Sequence, residues 1–319
     1  MNKKTILGIT VIALTVIVAF TACSKSGGGS SGGGKSLNSA TELREYLDKQ
    51  PANGPDKPIK VAMKANEMMI GDIAAVIKGA GKYVSLDLSG SPLTEIPRWA
   101  FYNVFDPSGE GIITLVGVTI PNGVTSIREN AFANTGLTSV TIPNSVTEIE
   151  YGAFSGCYSL TSITVDSDNP NYASEGGILY NKAKTEIVQV PRGISGNVTI
   201  PNGVTSIRNG AFYGTGLTSV TIPNSVTTIG GSAFFDCESL TSVTIPASVT
   251  SIGENAFQFC DSLISVTFQG VMPSVFYGNS FGGKFGSLYY EYDAGGIGTY
   301  TRTAGTDEYG NPTYTWTKQ

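Results

Sequence analysis

Histidine is missing from the chain, and its absence excludes several classes of chemistry. Without histidine there is no Ser-His-Asp or Cys-His nucleophilic machinery and no histidine-ligated metal site. Cysteine is scarce, with four among 319 residues, and only 14% of residues are charged. The formal net charge of -5 provides no basic surface for nucleic acid, so we expect no nucleic-acid partner.

Glycine is abundant by contrast, and one string of residues recurs along the chain. The 40 glycines suit a turn-dense, β-rich fold. The string "LTSVTIPNSVT" begins at Leu137 and again at Leu217, and it returns with one substitution at Leu240. A variable stretch and then a phenylalanine follow each copy. The phenylalanines that mark the cycle are Phe101, Phe132, Phe154, Phe212, Phe234, Phe257 and Phe281.

The spacing of these phenylalanines is 22 or 23 residues in the regular part of the chain, a period typical of solenoids. Within one copy, Leu137, Val140 and Ile142 follow the L-x-x-L-x-L spacing of a leucine-rich repeat. Val140 and Ile142 alternate with Ser139 and Thr141, as on a half-buried strand. A single unit cannot bury its apolar face, whereas stacked copies form a continuous core. The pattern therefore predicts a β-rich α/β solenoid of leucine-rich repeat coils of 22–23 residues.

The repeat unit, "LTSVTIPNSVTxIxxxAFxxC", resembles that of the BspA-like leucine-rich repeat family of bacterial surface proteins. The resemblance covers roughly Leu88 to Phe281. It implies adhesion to host proteins, host cells or other microbes.

The acidic residues of the repeats are scattered over variable turn positions, so we predict no enzyme, no metal and no cofactor. These acidic residues include Glu129, Glu148, Glu238 and Glu254.

The N-terminus carries Lys3 and Lys4 before an apolar run from Thr5 to Phe20, which is typical of a secretion signal. A transmembrane anchor is the alternative, but the run is short for a span. The string "FTAC", which ends at Cys23, resembles the lipobox of bacterial lipoproteins, where cleavage leaves an acylated cysteine. This resemblance implies export and a lipid anchor in the cell envelope, with the protein exposed at the surface. We expect that lipid to be the only membrane contact.

These features divide the chain into five parts. We predict a signal peptide over residues 1–22, the lipidated cysteine with a flexible Gly/Ser tether over 23–36, and a small α/β N-terminal cap over 37–87. The solenoid follows over 88–285, interrupted by an insertion at 166–197, and a β-rich C-terminal cap occupies 286–319. In the N-terminal cap, we expect short helices after Ser39 and from Met68, with Met68 and Met69 filling the core.

Two hairpins are predicted outside the regular coils. In the insertion, "GILY" and "EIVQV" flank "NKAKT" and favour a β-hairpin. In the C-terminal cap, Tyr300 and Arg302 alternate with threonines, as do Tyr314 and Trp316, on either side of "DEYGNP". This second hairpin either closes the end of the solenoid or forms a separate aromatic binding surface. We favour closure.

Two further patterns each allow two interpretations. One repeat position is occupied by cysteine in three coils, at Cys157, Cys237 and Cys260. This favours buried free thiols that pack in the same way in each coil. Cys237 and Cys260 lie in adjacent coils, and an exported setting would also permit a disulfide between them. The string "DSDNPN", from Asp166 to Asn171, has oxygen ligands for calcium, but its composition and spacing favour an ordinary turn.

The polar positions of the strands form the candidate ligand face. We expect them to make two hydroxyl ladders along one side of the solenoid, which could hydrogen-bond to a protein or a glycan. The same residues also suit a solvated strand with no ligand. They are Ser139, Thr141, Ser162, Thr164, Ser219, Thr221, Ser242, Thr244, Ser265 and Thr267.

The function favoured by the sequence is that of a monomeric, surface-displayed lipoprotein that binds an extracellular protein or glycan as an adhesin. One alternative is a structural envelope or matrix spacer without a specific ligand. A weaker alternative is a carbohydrate-active enzyme, since glycoside hydrolysis needs only two carboxylates.

Overall fold

A computed structural model describes residues 36–102, 111–270, 297–306 and 312–319. The predicted signal peptide, Cys23 and almost all of the tether lie outside these residues, as do Phe281 and most of the segment predicted to loop out after Phe101. Within the described ranges, no helix is long and apolar enough to cross a membrane.

The N-terminal cap begins with helix α1 (Ala40–Asp48), which starts where the sequence predicts. Ser39 is its N-cap, and the side-chain oxygen accepts a hydrogen bond from Glu42 N at 3.1 Å. Strand β1 (Ile59–Ala62) follows, and then helix α2 (Ile70–Ala80), which ends at the left-handed Gly81. The apolar faces of both helices are buried in the same core as the first coils.

The prediction that Met68 fills the core is wrong. This residue lies in a short 3₁₀ turn (Glu67–Met69) ahead of α2, and 91% of its surface is exposed. The turn directs Met68 to solvent, whereas its neighbour Met69 is half-buried and packs against the core. The apolar stripe of α2 therefore begins at Ile70, two residues later than the sequence pattern suggests.

Each regular coil contributes one long and one short strand to two sets of parallel strands. In the coils that contain the repeated string, the long strand carries Ser-Val-Thr-Ile and the short strand carries the isoleucine that follows the proline. The long strands are β2 (Val84–Asp87), β4 (Leu115–Thr119), β6 (Ser139–Ile142), β8 (Ser162–Val165), β12 (Ser195–Thr199), β14 (Gly216–Thr221), β16 (Ser242–Ile245) and β18 (Ser265–Phe268). The short strands are β3 (Glu95–Ile96), β5 (Ser126–Ile127), β7 (Glu148–Ile149), β11 (Glu186–Gln189), β13 (Ser206–Ile207), β15 (Thr228–Ile229) and β17 (Ser251–Ile252).

The repeat register places equivalent residues side by side in the core. Val140 pairs with Ile163, and Val220 pairs with Val243, with all four side chains buried. The marking phenylalanines form stacks of nearly parallel rings. Their centroids are separated by 5.2 Å from Phe101 to Phe132, 5.6 Å from Phe132 to Phe154, 4.5 Å from Phe212 to Phe234 and 4.8 Å from Phe234 to Phe257. The predicted solenoid of leucine-rich repeat coils is confirmed.

The insertion divides the solenoid. Its strands β9 (Tyr172–Glu175) and β10 (Ile178–Asn181) form a hairpin that the sequence does not predict, and β10 also pairs antiparallel with β11. This second pairing is the predicted hairpin around "NKAKT". Strand β11 then pairs in parallel with β13, so it serves as the short strand of its own coil. In the described sheets, β8 and β12 are not paired.

The C-terminal strands extend the long-strand sheet. Strand β19 (Gly298–Thr306) pairs antiparallel with β18, and β20 (Pro312–Lys318) pairs antiparallel with β19. Tyr300 is fully buried, and its ring meets Phe268 edge to face at 5.9 Å between centroids. The hairpin therefore closes the core at this end. The side chains of Tyr314 and Trp316 lie outside the described set.

Candidate functional site

The predicted ladder residues lie side by side on the long strands. In the first segment, Ser139 pairs with Ser162 and Thr141 pairs with Thr164, and the two threonine hydroxyls are hydrogen-bonded at 2.9 Å. In the second segment, Ser219, Ser242 and Ser265 are in register on successive strands, as are Thr244 and Thr267, and Thr221 holds the threonine position on β14. All ten side chains are exposed or half-exposed.

The second segment is longer than the sequence predicts. Asn197 pairs with Ser219 and Thr199 pairs with Thr221, so β12 adds one more rung to each ladder. Asn197 Oδ1 accepts a hydrogen bond from Ser219 Oγ at 2.8 Å. At the other end, Thr267 faces Thr299 on β19, with 2.9 Å between their hydroxyl oxygens. The string "NVTI" before Pro201 is the sequence feature from which the ladder positions Asn197 and Thr199 on β12 could have been predicted.

The two ladder segments do not join, because the insertion lies between them. The turn of the β9–β10 hairpin lies against β8, where Ile163 N donates to Gly177 O at 2.8 Å. Val165 N donates to Ser174 Oγ at 3.0 Å. These bonds occupy the side of β8 on which the next long strand would otherwise pair. We call the continuous part, from Asn197 and Thr199 on β12 to Thr267 on β18, the ladder face.

The three cysteines of the repeats are buried free thiols, as favoured by the sequence. Each thiol donates to the carbonyl of the marking phenylalanine one coil earlier: Cys157 to Phe132 at 3.0 Å, Cys237 to Phe212 at 3.1 Å and Cys260 to Phe234 at 3.1 Å. Burial raises the pKa of the Cys157 thiol. The role of Cys157 is therefore structural, since a buried neutral thiol is a poor nucleophile.

The "DSDNPN" string forms a turn. Asn169 is fully buried, and its amide donates to Pro143 O at 2.7 Å and to Val146 O at 2.9 Å. Its side-chain oxygen accepts from the backbone N–H groups of Asn171 and Tyr172. In the described part of the chain, no group of three or more Asp, Glu or Cys side chains is arranged as metal ligands. Asn169 therefore anchors the insertion to the preceding coil.

A groove that the sequence does not predict lies where the insertion meets the coils. Val190 N donates to Ala211 O at 2.7 Å, the bond that Phe212 N makes to Ala233 O in the next coil. Val190 thus replaces a marking phenylalanine. It follows Ile187 by three residues, whereas Phe212 follows Ile207 by five. The smaller side chain and the shorter segment leave a groove of about 290 Å³, which we call the seam groove.

Tyrosine and arginine side chains line the seam groove. Tyr151 is 56% exposed, and its ring lies against Gly210, where a Cβ atom would come within 3.1 Å of Tyr151 Cε2. Arg192 lies over the ring of Tyr158, with its guanidinium carbon 3.9 Å from the ring centroid. Tyr213 also lines the groove. Its hydroxyl has a raised pKa, mainly because it is partly buried and secondly because the negative charge of Asp236 is nearby.

The charges in and around the seam groove are paired. Arg192 Nη2 bonds to Asp236 Oδ2 at 2.8 Å, and the Arg192 side chain is only 12% exposed. Glu150 accepts from Arg128 Nη1 at 2.8 Å and from Glu129 N at 2.8 Å. The bond from Arg128 is the main reason that the pKa of Glu150 lies below its usual range. Glu150 is therefore ionised, and it shares the positive charge of Arg128 with Glu95 and Glu148.

Solved structures of bacterial leucine-rich repeat proteins are similar to this chain. A leucine-rich repeat protein from Eubacterium ventriosum shares 26% identity, with a TM-score of 0.51, over 67% of this chain and 58% of that chain. A leucine rich cell surface protein from Faecalibacterium prausnitzii shares 24% identity, with a TM-score of 0.37, over 67% and 71% of the two chains. The pneumococcal vaccine antigen PcpA shares 22%, with a TM-score of 0.43, over 61% and 57%.

A search of curated proteins found no match. The family model described as "BspA type Leucine rich repeat region" matches in six copies over residues 94–196 and 194–282, which is more than half of the chain. These segments contain the stacked phenylalanines, the paired long strands and the buried thiols described above. The chain belongs to the BspA-type leucine-rich repeat family.

Proposed function

We propose that this protein is a lipid-anchored adhesin of the bacterial surface that binds an extracellular protein or glycan through the ladder face. The observation that carries this proposal is the ladder face itself. Its hydroxyl groups are held in register on paired strands from β12 to β18, over a core in which Val220 and Val243 are buried. A rigid surface of this kind presents hydrogen-bonding groups at little entropic cost on binding.

Membership of the BspA-type family supports a role at the cell surface and in interaction with other molecules. The lipobox-like string that ends at Cys23 and the glycine-rich segment after it support display on a lipid tether. Together these features favour a binding protein over an envelope spacer, which would need no regular polar face. We propose a monomer without a cofactor.

The chemistry of the carboxylates argues against the carbohydrate-active enzyme. A glycosidase acid needs a raised pKa so that it holds a proton at neutral pH. Glu150, the carboxylate that lines the seam groove, has a lowered pKa instead and is bonded to Arg128. Solenoids of this family are typically non-enzymatic. We therefore propose that the protein binds its ligand without transforming it.

The test is a pair of lysines on the ladder face, Thr221→Lys with Thr244→Lys. Both threonines are exposed on adjacent long strands, so the long solvated side chains should leave folding intact. We expect binding to immobilised, purified extracellular-matrix proteins or glycans to weaken at least about tenfold, or about 1.4 kcal/mol. Surface plasmon resonance measures the change.

The matched control is Thr228→Lys with Ser251→Lys. These residues pair on adjacent short strands, away from the ladder face, so the same charge is added at the same spacing. The control should bind like the wild type. Equal binding by wild type, ladder variant and control would contradict the proposal, and a wild type that binds no probe would favour the spacer.

A further inference from the structure

The seam groove has features of a ligand site, and it is separate from the ladder face. It occurs at the one described coil boundary where the insertion replaces a phenylalanine by Val190. Tyr151, which lines the groove, is 56% exposed, and Tyr158, which lies beside the groove under Arg192, is 67% exposed. Large aromatic side chains left in solvent beside a groove are typical of a binding surface.

The backbone of the site makes room for these side chains. Gly210 has a φ of 67° and lies against Tyr151, and Gly214 has a φ of 65° and lies under Arg192. A Cβ atom at Gly214 would come within 2.3 Å of the guanidinium carbon. Arg192 is thereby held between Gly214, the ring of Tyr158 and the carboxylate of Asp236. The two glycines thus hold the groove in shape before any ligand arrives.

The charge pattern limits the chemistry of the ligand. Arg192 is paired with Asp236, and Glu150 shares Arg128 with Glu95 and Glu148. Arg208, on the far wall, lies 3.6 Å from Glu186. The groove therefore contains no arginine that is free to attract an acidic ligand. It offers aromatic faces together with polar side chains such as Gln189 and Asn209.

We propose that the seam groove binds a neutral saccharide. A pyranose ring has an apolar face of C–H groups, which stacks on an aromatic ring, and a rim of hydroxyls that both donate and accept hydrogen bonds. Tyr151 provides the stacking face, and Asn209, Gln189 and Arg208 lie where they can meet the hydroxyls. A volume of about 290 Å³ is near the lower end of small-molecule pockets and suits a sugar unit at a chain end.

A peptide is the less suitable occupant. The backbone of a peptide would need a strand edge or a row of unpaired backbone groups to bond with. Next to the groove, the N–H of Val190 is used by Ala211 O, and that of Gly210 by Gly231 O. An acidic sugar is also disfavoured, because both nearby arginines already have carboxylate partners. The inference does not rest on the ladder face, which lies on a different set of strands.

The experiment uses the full-length protein on an array of immobilised glycans with neutral and sialylated termini. We expect binding to neutral termini, confirmed by calorimetry with the free oligosaccharide. Tyr151→Ala should weaken that binding at least tenfold, because the stacking face is lost, whereas Tyr151→Phe keeps the ring and should stay within about threefold. Tyr151 is exposed, so neither change should unfold the protein.

Two controls show whether the loss of binding is specific to the seam groove. Phe259→Ala removes an exposed aromatic side chain in a later coil, outside the groove, and should leave glycan binding unchanged. Tyr151→Ala should leave attachment to a matrix protein bound by the ladder face unchanged, so failure of the adhesin proposal can be told apart from failure here. The saccharide proposal is overturned if no neutral glycan binds, if Tyr151→Ala binds as well as the wild type, or if only peptides bind at this groove.

Discussion

At the scale of single residues, each coil depends on two positions with positive φ on either side of the Ala-Phe pair. One lies just before the alanine and the other two residues after the phenylalanine. Asparagine, glycine or aspartate suits this left-handed backbone, because other side chains crowd the carbonyl. Non-glycine residues with this geometry in the stacked coils are Trp99 (58°), Asn130 (53°), Asn134 (56°), Ser232 (53°), Asp236 (62°), Asn255 (57°) and Phe259 (59°). The pair of reversals lets each coil turn tightly around its buried ring.

The buried phenylalanine ring of each coil packs against the rings of the neighbouring coils. Phe234 is fully buried between Phe212 and Phe257 at 4.5 and 4.8 Å. We expect Phe234→Ala to lower the free energy of unfolding by about 3 to 5 kcal/mol, because neighbouring coils cannot collapse into the cavity. Thr244→Ala, on the exposed ladder, should cost less than about 1 kcal/mol. Urea titrations of both variants measure the difference, and equal losses would contradict the assignment of inner and outer faces.

At the scale of elements, the insertion is fixed to the preceding coil mainly by side chains. Tyr172 Oη accepts from Ile149 N at 3.0 Å, which bonds the hairpin to the short strand β7. Asn169 makes four hydrogen bonds, two as a donor and two as an acceptor, from a fully buried position. These side-chain hydrogen bonds replace the strand pairing that the insertion interrupts.

Asn169→Ala tests this anchoring role. The substitution leaves two carbonyls and two backbone N–H groups without their partner, and each buried unsatisfied group costs about 1 to 3 kcal/mol. Because water can enter in part, we expect a total loss of about 3 kcal/mol or more in thermal or urea unfolding. Asn171→Ala is the control, since its exposed amide makes one longer bond, to Thr147 O at 3.3 Å. A loss no larger than that of the control would show that the turn is held by the hairpin strands alone.

The elements also show how much could be predicted. Repetition makes the alternation of Val140 and Ile142 with Ser139 and Thr141 easy to interpret, and the coils follow from it. The seam groove could not be predicted in this way. It brings Tyr151 together with Tyr213, 62 residues apart, and depends on a segment before Val190 that is two residues short. An insertion has no repeat register, so its contacts with the coils are decided by tertiary packing.

At the scale of the whole molecule, the described coils have two cores. One extends from Leu43 in the N-terminal cap to Val188, and the other from Tyr180 to Tyr300. The insertion contributes to both, and it also separates the two ladder segments and interrupts the phenylalanine stack. Repeat proteins are stabilised by nearest-neighbour interfaces, so a weak interface between two stacks divides the stability as well.

Native-state hydrogen exchange tests this division. Phe234→Ala should speed exchange of the slow amides in β14, β16 and β18, because opening of the second core becomes less costly. The slow amides of α2, β2 and β6 should exchange at nearly wild-type rates, since they belong to the first core. Phe132→Ala is the reciprocal variant and should give the opposite pattern. Acceleration of all slow amides by the same factor in both variants would mean that the insertion couples the two cores into one cooperative unit, despite the missing strand pair between β8 and β12.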